Sequence, residues 1–105
     1  MTKTMQSLLV VAVTICLAGA LGFAQSGGEA TYKAKCAACH GPTGTPSAGM
    51  AKMMGIKPAS DPAITSLTVA QISAVVKSGK GKMKPVTGLS DAQIKDVAAF
   101  YHGLK

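Results

Sequence analysis

Two cysteines and a histidine form the most reactive group of side chains in the sequence. Cys36, Cys39 and His40 stand in the order Cys-Ala-Ala-Cys-His, which is the form that attaches a c-type haem. On one helical turn, positions three and four apart lie on the same side, so both thiols and the imidazole project together. The thiols can then bond to the vinyl groups of a haem, and the imidazole becomes the proximal iron ligand. The pattern predicts one covalently bound haem c with its iron.

Three other roles for the cysteine pair each lack a required feature. A thioredoxin-like redox motif needs a βαβ setting, and no β-branched strand run flanks the pair. A zinc site needs four nitrogen or sulfur ligands. Apart from Cys16 in the apolar N-terminal segment, the chain offers two cysteines, His40 directly after Cys39, and His102. A disulfide across two residues would close too short a loop to stabilise the fold. We therefore favour haem attachment.

The N-terminal segment has the composition of a secretory signal. A polar start with one lysine precedes an almost continuously apolar run over residues 7–23, with small residues, Gly22 and Ala24, where a signal peptidase reads the chain. This predicts a signal peptide over residues 1–24 and one domain over residues 25–105, in the periplasm or otherwise exported. The alternative is an uncleaved membrane anchor, since the apolar run is near the short limit for a span.

The chain is short and basic. It has 105 residues and a formal net charge of +7, with eleven lysines, no arginine and four acidic residues. A domain this small usually needs a staple or a cofactor, and a haem would supply the missing apolar volume. A basic balance suits nucleic acid, an anionic membrane or an acidic protein. Without arginine and with few aromatic residues, a nucleic-acid surface is not expected. We favour an acidic protein partner.

The cysteine pair is predicted to lie on a short helix between flexible segments. Residues 29–38 begin with an acid and carry lysines later, as the helix dipole prefers. Glycine and proline are frequent over residues 41–49 and 55–62, which predicts loops there, with a helical turn over residues 48–54. A backbone carbonyl in or beyond the first loop is expected to accept the second ring N–H of His40.

Two further helices carry the same start signal. Thr68 and Ser90 are predicted N-caps, and a glutamine three residues after each predicts a capping box. A leucine before each cap and an isoleucine after it predict a hydrophobic staple. The first helix is expected to end at Gly79. The predicted core stripes are Ile72, Val75 and Val76 on the first helix, and Ile94, Val97, Ala98, Tyr101 and Leu104 on the second.

The segment between these helices contains the predicted sixth iron ligand. Residues 79–88 are too rich in glycine for a helix and too charged for a core. Met83 in this segment can place its soft thioether on the iron opposite the imidazole, which favours the reduced state. Alternatively Met83 only packs on the haem, and Met50, Met53 or Met54 binds the iron, since chain length does not exclude them. We favour Met83 because the other three lie on what looks like an apolar face, where methionine usually fills space.

With Cys36, Cys39, His40 and Met83 in these positions, the chain resembles the small class I cytochromes c over residues 27–105. The resemblance implies an all-α fold of about three to five helices wrapped around one covalently bound haem, with the first and last helices crossing. If Met83 is the sixth ligand, both axial positions of the iron are filled by the protein.

Single positions carry the resemblance further. Gly28 and Tyr32 match the glycine and the aromatic residue of the family's helix crossing, and Phe100 matches the aromatic residue of its last helix. One position departs from the pattern. Many bacterial members have proline directly after the methionine, whereas here Lys84 stands before Pro85.

An iron with two protein ligands has no place for a small-molecule substrate. The expected function is therefore that of a monomeric one-electron carrier, not an enzyme, between exported or membrane-bound redox partners. The alternatives are an electron-delivery subunit of a dehydrogenase or oxidase, and an open-site haem protein that binds small gases or peroxide. A visible spectrum separates the carrier from the open-site protein.

The lysines around the proposed site indicate the kind of partner. We use the term basic collar for Lys80, Lys82 and Lys84 beside the methionine together with Lys33 and Lys35 before the cysteine pair. Such a collar would steer an acidic-surfaced redox protein or membrane complex. The alternative is that these lysines are solvated and have no partner.

Overall fold

A computed structural model describes residues 27–104, and this part of the chain is helical. Its six helical segments are α1 over residues 27–35, α2 Ala37–His40, α3 Ala48–Met54, α4 Pro62–Thr65, α5 Val69–Ser78 and α6 Asp91–His102. Four of them are longer than four residues, and no strand occurs within this range. The all-α prediction is confirmed. The predicted signal peptide and its cleavage site lie outside the described residues.

Helices α5 and α6 pack against each other and begin with the same cap. Thr68 accepts a hydrogen bond from the Gln71 amide at 3.1 Å, and the Gln71 side chain accepts one from the Thr68 amide at 2.9 Å. Ser90 and Gln93 repeat the arrangement at 3.2 and 2.8 Å. Both predicted capping boxes are confirmed, and each satisfies two amides that lack helical partners.

The α5–α6 interface contains the main buried cluster. Its members are the buried side chains Ile72, Val76, Ile94 and Ala98. Partly buried apolar residues surround this cluster, among them the two leucines that precede the caps, as the staple prediction requires. Met83 and Tyr101 also pack against the cluster. The core therefore extends from the α5–α6 interface to Met83 and to the ring of Tyr101.

The first described helix meets the last one at a glycine. A Cβ on Gly28 would lie 2.5 Å from the carbonyl oxygen of Asp96 and 3.2 Å from the Cβ of Phe100. Only glycine permits so close an approach. One helical turn further along α1, the ring of Tyr32 lies 5.3 Å from that of Phe100. Helices α1 and α6 thus pack together at the residues where the resemblance placed their crossing.

Helix α4 was not predicted from the sequence, although its start signal is present. Asp61 accepts a hydrogen bond from the amide of Ala63 at 2.9 Å, and Pro62 occupies the first helical position. Both features are typical of a helix N-terminus. The predicted loop over residues 55–62 overlaps this helix only at Pro62, and no element was predicted for residues 63–65. None of the helices in residues 27–104 has the length and apolar character needed to cross a membrane.

Candidate haem-attachment site

The Cys-Ala-Ala-Cys-His segment forms a helical turn of its own. Helix α1 ends before Cys36, which lies in a turn with φ −119° and ψ −34° and precedes α2. The carbonyl of Cys36 accepts hydrogen bonds from the amides of Cys39 at 3.2 Å and His40 at 2.9 Å. The prediction of one continuous helix over 29–38 is therefore wrong at Cys36. The three side chains nevertheless leave the chain from a single helical turn.

Both thiols are free in the structure. Cys36 is half-buried and Cys39 is exposed, and neither forms a disulfide. Burial, and then the nearby Cys39, raises the pKa of the Cys36 thiol. Among residues 27–104 no group of three or more His, Cys, Asp and Glu side chains could hold a metal ion. The described residues thus offer no zinc site, and the pair remains available for thioether formation.

The imidazole of His40 is in the state that a metal ligand requires. Burial lowers its pKa, so the ring is neutral near pH 7 and a nitrogen lone pair is available. Its Nδ1 atom is buried and has no hydrogen-bond partner in the described part of the chain. The carbonyl partner expected from the sequence is thus not seen for Nδ1. A buried polar atom without a partner is costly, and a bound ion or cofactor beside it commonly accounts for such an atom. These residues therefore fit an attached haem.

The ring of His40 packs against Tyr101, which in turn packs against Tyr32. His40 and Tyr101 form a T-shaped pair, with ring centroids 5.4 Å apart. The Tyr101 ring in turn lies 6.1 Å from the ring of Tyr32, at an interplanar angle of 26°.

Burial, followed by the effect of Tyr101 and Cys36, raises the pKa of Tyr32 to about 12. The Tyr32 hydroxyl therefore stays protonated and acts as a donor.

The chain bends sharply after the histidine. Gly41 ends α2 with φ +82° and ψ 158°, a conformation that is essentially restricted to glycine. A Cβ at this position would also collide with the carbonyl oxygen of Thr45. The carbonyl of Gly41 accepts a hydrogen bond of 2.5 Å from the hydroxyl of Tyr32. Sequence reasoning identified the aromatic ring of Tyr32 but missed this bond, because no local pattern shows which carbonyl the hydroxyl meets.

Met83 lies on a tight turn rather than on a free loop. Lys80 and Met83 exchange two backbone hydrogen bonds, of 2.9 and 3.0 Å. Gly81, the first residue between them, has φ +57°, and no non-glycine residue in the described range has positive φ. This is the pattern of a type II′ turn. The amide of Val86 also donates to the carbonyl of Val76 at 2.9 Å. This bond attaches the segment to α5.

The four candidate methionines have different surroundings. Met53 is 61% exposed. Met50 and Met54 are half-buried on α3. Met83 packs against the buried α5–α6 cluster, as Tyr101 does. Because Tyr101 also contacts His40, this cluster connects Met83 to the histidine through packed side chains.

The basic collar is mostly without acidic partners. Lys33 forms an ion pair of 3.0 Å with Glu29, and a second pair in the described range joins Lys77 to Asp91 at 3.3 Å. Lys82 donates a hydrogen bond to the backbone carbonyl of Met53 at 3.0 Å. The remaining lysines of the collar have no ion pair within residues 27–104. The charge beside the Met83 turn is therefore not neutralised by the described part of this chain.

The helical fold and the Cys-Ala-Ala-Cys-His turn beneath a cluster of aromatic rings define a small c-type cytochrome domain. The family model described as cytochrome c oxidase, cbb3-type, subunit III matches residues 24–100. The chain belongs to this family. It accordingly carries haem c with iron and takes part in haem-based electron transfer, which points to an electron-transfer protein rather than an enzyme. Proteins of this class are typically exported. A comparison with curated proteins found no match.

Proposed function

We propose that this protein is a one-electron carrier with a single haem c, bonded to Cys36 and Cys39 and ligated by His40 and Met83. The observation that carries the proposal is the packed connection between the two axial residues. Met83 lies against the α5–α6 cluster together with Tyr101, and Tyr101 meets the imidazole ring. When bound, haem supplies reversible one-electron chemistry between Fe(II) and Fe(III).

Each residue has a separate task in this proposal. Cys36 and Cys39 anchor the cofactor from one helical turn, so that its orientation follows that of α2. His40 offers a neutral nitrogen from a buried ring. Met83 offers a soft thioether from a turn whose backbone is held by two hydrogen bonds. Because both axial positions are filled by the protein, no open position is left for a substrate, and the protein acts as a carrier.

Visible spectroscopy of the purified exported protein tests the ligands. After denaturation the haem is expected to stay with the polypeptide, whereas extraction into acidified solvent would contradict covalent attachment. The oxidised native protein is expected to show the weak far-red band of a sulfur–iron bond. The band is expected to disappear in Met83→Ala and to persist in Met54→Ala, the matched control from α3. A band that survives in Met83→Ala contradicts the assignment, and a high-spin spectrum with rapid carbon monoxide binding indicates an open site instead.

We further propose an acidic-surfaced redox protein or membrane complex as partner, approached by a monomer. The support is the concentration of charge at the Met83 turn, where Lys80, Lys82 and Lys84 have no ion pair within residues 27–104. Opposite charges on two partners accelerate their encounter, and salt screens this effect. The rate of electron exchange with an acidic redox protein should fall as ionic strength rises. A rate of electron exchange that does not change with salt would contradict steering of the partner by the basic collar.

Export through a signal peptide over residues 1–24 is the corresponding proposal for location. Mass spectrometry of the exported protein reads the cleavage point and the bound haem together. A mass for residues 25–105 plus one haem is expected. A mass that includes the N-terminal segment would instead indicate the uncleaved anchor.

A second candidate function is electron delivery within a larger oxidase. The family's description, which names an oxidase subunit, favours this candidate. Purification from membranes without detergent distinguishes the two functions. Recovery of the haem protein alone in the soluble fraction supports the free carrier, and retention with a membrane complex supports the subunit.

A further inference from the structure

Tyr32 contacts two neighbours of His40, Gly41 and Tyr101. It lies on α1, four residues before Cys36, and only 1% of its surface is exposed. Its hydroxyl donates to the carbonyl of Gly41, the residue directly after the histidine, at 2.5 Å. Its ring lies beside Tyr101, which is the residue that meets the imidazole. Electron transfer through the haem does not by itself require this hydroxyl.

The hydroxyl of Tyr32 forms a hydrogen bond to the backbone directly after His40. Both Tyr32 and Gly41 are buried, so a hydroxyl or a carbonyl that lost its partner would find no ready replacement in water. A Cβ on Gly41 would overlap the carbonyl oxygen of Thr45, so the following loop lies close beside this residue. The peptide after His40 is thus held from two sides, by Tyr32 and by the loop.

The ring of Tyr32 packs against Tyr101, which is the neighbour of the His40 imidazole. Tyr101 lies between Tyr32, at 6.1 Å, and His40, at 5.4 Å. Phe100 lies against the ring of Tyr32 as well, at 5.3 Å. Aromatic pairs at these separations have preferred geometries. A change at Tyr32 is therefore expected to alter the position of Tyr101 and, through it, the setting of the imidazole plane.

We propose that Tyr32 is a positioning residue for His40, acting through the hydrogen bond from its hydroxyl to the chain that follows the histidine. The inference rests on the proposed function only in taking His40 as an iron ligand. The resemblance to the cytochromes c implies an aromatic residue at this position, which a phenylalanine would satisfy. The hydroxyl bond to Gly41 is a feature of this chain's own structure.

Tyr32→Phe in the oxidised holoprotein separates the two contributions, because it keeps the ring and removes the hydroxyl. Paramagnetic proton NMR reads the resonances of the His40 ring, which report the orientation of an axial ligand. We expect these resonances to shift in Tyr32→Phe. Loss of one buried hydrogen bond should also lower the folding equilibrium constant about tenfold or more, as measured by denaturant unfolding.

Thr65→Val is the matched control. Its hydroxyl also donates to a backbone carbonyl, that of Pro62, but at 3.4 Å on the exposed helix α4. We expect wild-type His40 resonances and a folding constant changed by about twofold at most. Replacing Tyr32 with 4-aminophenylalanine restores a donor on the same ring. We expect this variant to recover the wild-type resonances.

Unshifted His40 resonances in Tyr32→Phe would overturn the proposal even if stability fell, because the hydroxyl would then be only a structural contact. If Tyr32→Phe yields no folded holoprotein, the 4-aminophenylalanine variant decides. Wild-type resonances in that variant support the proposal, and shifted ones overturn it. Failure of the proposed function looks different, because the wild type and Thr65→Val would then both lack paramagnetic His40 resonances.

Discussion

The two proposed iron ligands are held by different kinds of structure. The half-buried Tyr101 packs against the ring of His40, and the hydroxyl of the buried Tyr32 donates to the carbonyl of the following residue. Met83 lies on a two-residue turn whose geometry comes from backbone hydrogen bonds to Lys80. Exposed lysines surround that turn. The histidine side is thus built from packed aromatic groups, and the methionine side from main-chain pairing.

The two sides should therefore differ in how well they tolerate substitutions. A backbone turn tolerates new side chains at its exposed positions, because those side chains take no part in its hydrogen bonds. A packed aromatic cluster does not, since Tyr32 and Tyr101 each pack against two other rings. Substitutions on the histidine side should therefore cost more stability than substitutions on the methionine side. Charge on the methionine side can vary with the partner.

The largest effect is expected for Gly41→Ala. The backbone conformation of Gly41 is strained for any other residue, and the new Cβ would overlap the carbonyl of Thr45. We expect about 4 kcal/mol of destabilisation in denaturant unfolding of the holoprotein. Gly55→Ala is the control, because Gly55 has φ +67° with no heavy atom within 4 Å of its Cβ position. It should cost about 1 kcal/mol. Equal costs would remove the claim that the histidine side is tightly packed.

Tyr101→Ala should have the next largest effect. The ring contacts His40, Tyr32 and the α5–α6 cluster, and it is half-buried. Its removal should cost about 2.5 kcal/mol in the unfolding free energy, somewhat less than for a fully buried ring. Met53→Ala removes an exposed side chain and should change stability by less than about 0.5 kcal/mol. A small effect of Tyr101→Ala would mean that the cluster does not connect the two sides.

Gly81→Ala probes the methionine side and should be milder. Gly81 has φ +57°, but a Cβ there would meet nothing within 4 Å. The cost is then conformational strain alone, about 1 kcal/mol by unfolding. We expect the far-red band of the oxidised protein to be retained. A loss as large as that in Gly41→Ala would show that the turn is as constrained as the histidine side.

The smallest effect is expected for Lys82→Ala. This substitution removes the exposed hydrogen bond of 3.0 Å from the Lys82 ammonium group to the Met53 carbonyl, which joins the turn to α3. We expect about 0.5 kcal/mol, seen as roughly twofold faster hydrogen exchange at the Met83 amide. Lys84→Ala is the control, since Lys84 makes no such bond in the described range. The same acceleration in both variants would assign the effect to charge rather than to the bond.

Local features of the fold were predictable from the sequence. The capping boxes at Thr68 and Ser90 are closed within four residues, so their chemistry can be read directly from residue order. The Cys-Ala-Ala-Cys-His motif is equally local. The position of Gly28 at the helix crossing came from the resemblance, and the approach of Asp96 explains it physically.

Contacts between distant residues were not predictable in the same way. The hydrogen bond from Lys82 to the Met53 carbonyl joins residues 29 positions apart. The hydrogen bond from Tyr32 to the Gly41 carbonyl joins helix α1 to the residue that ends α2. In each case the outcome depends on which groups the folded chain brings close, and composition carries no such information.

Residue order alone was enough to predict the haem-attachment motif, because the proposed thioether bonds need two thiols at a set local spacing and the proposed iron ligand is the imidazole beside them. The surroundings of that chemistry depended on folding. Residues 32 and 41, 82 and 53, and 101 and 40 become neighbours only once α1, α3 and α6 have packed. Side-chain packing and hydrogen bonding act over a few ångströms in space, whatever the distance along the chain.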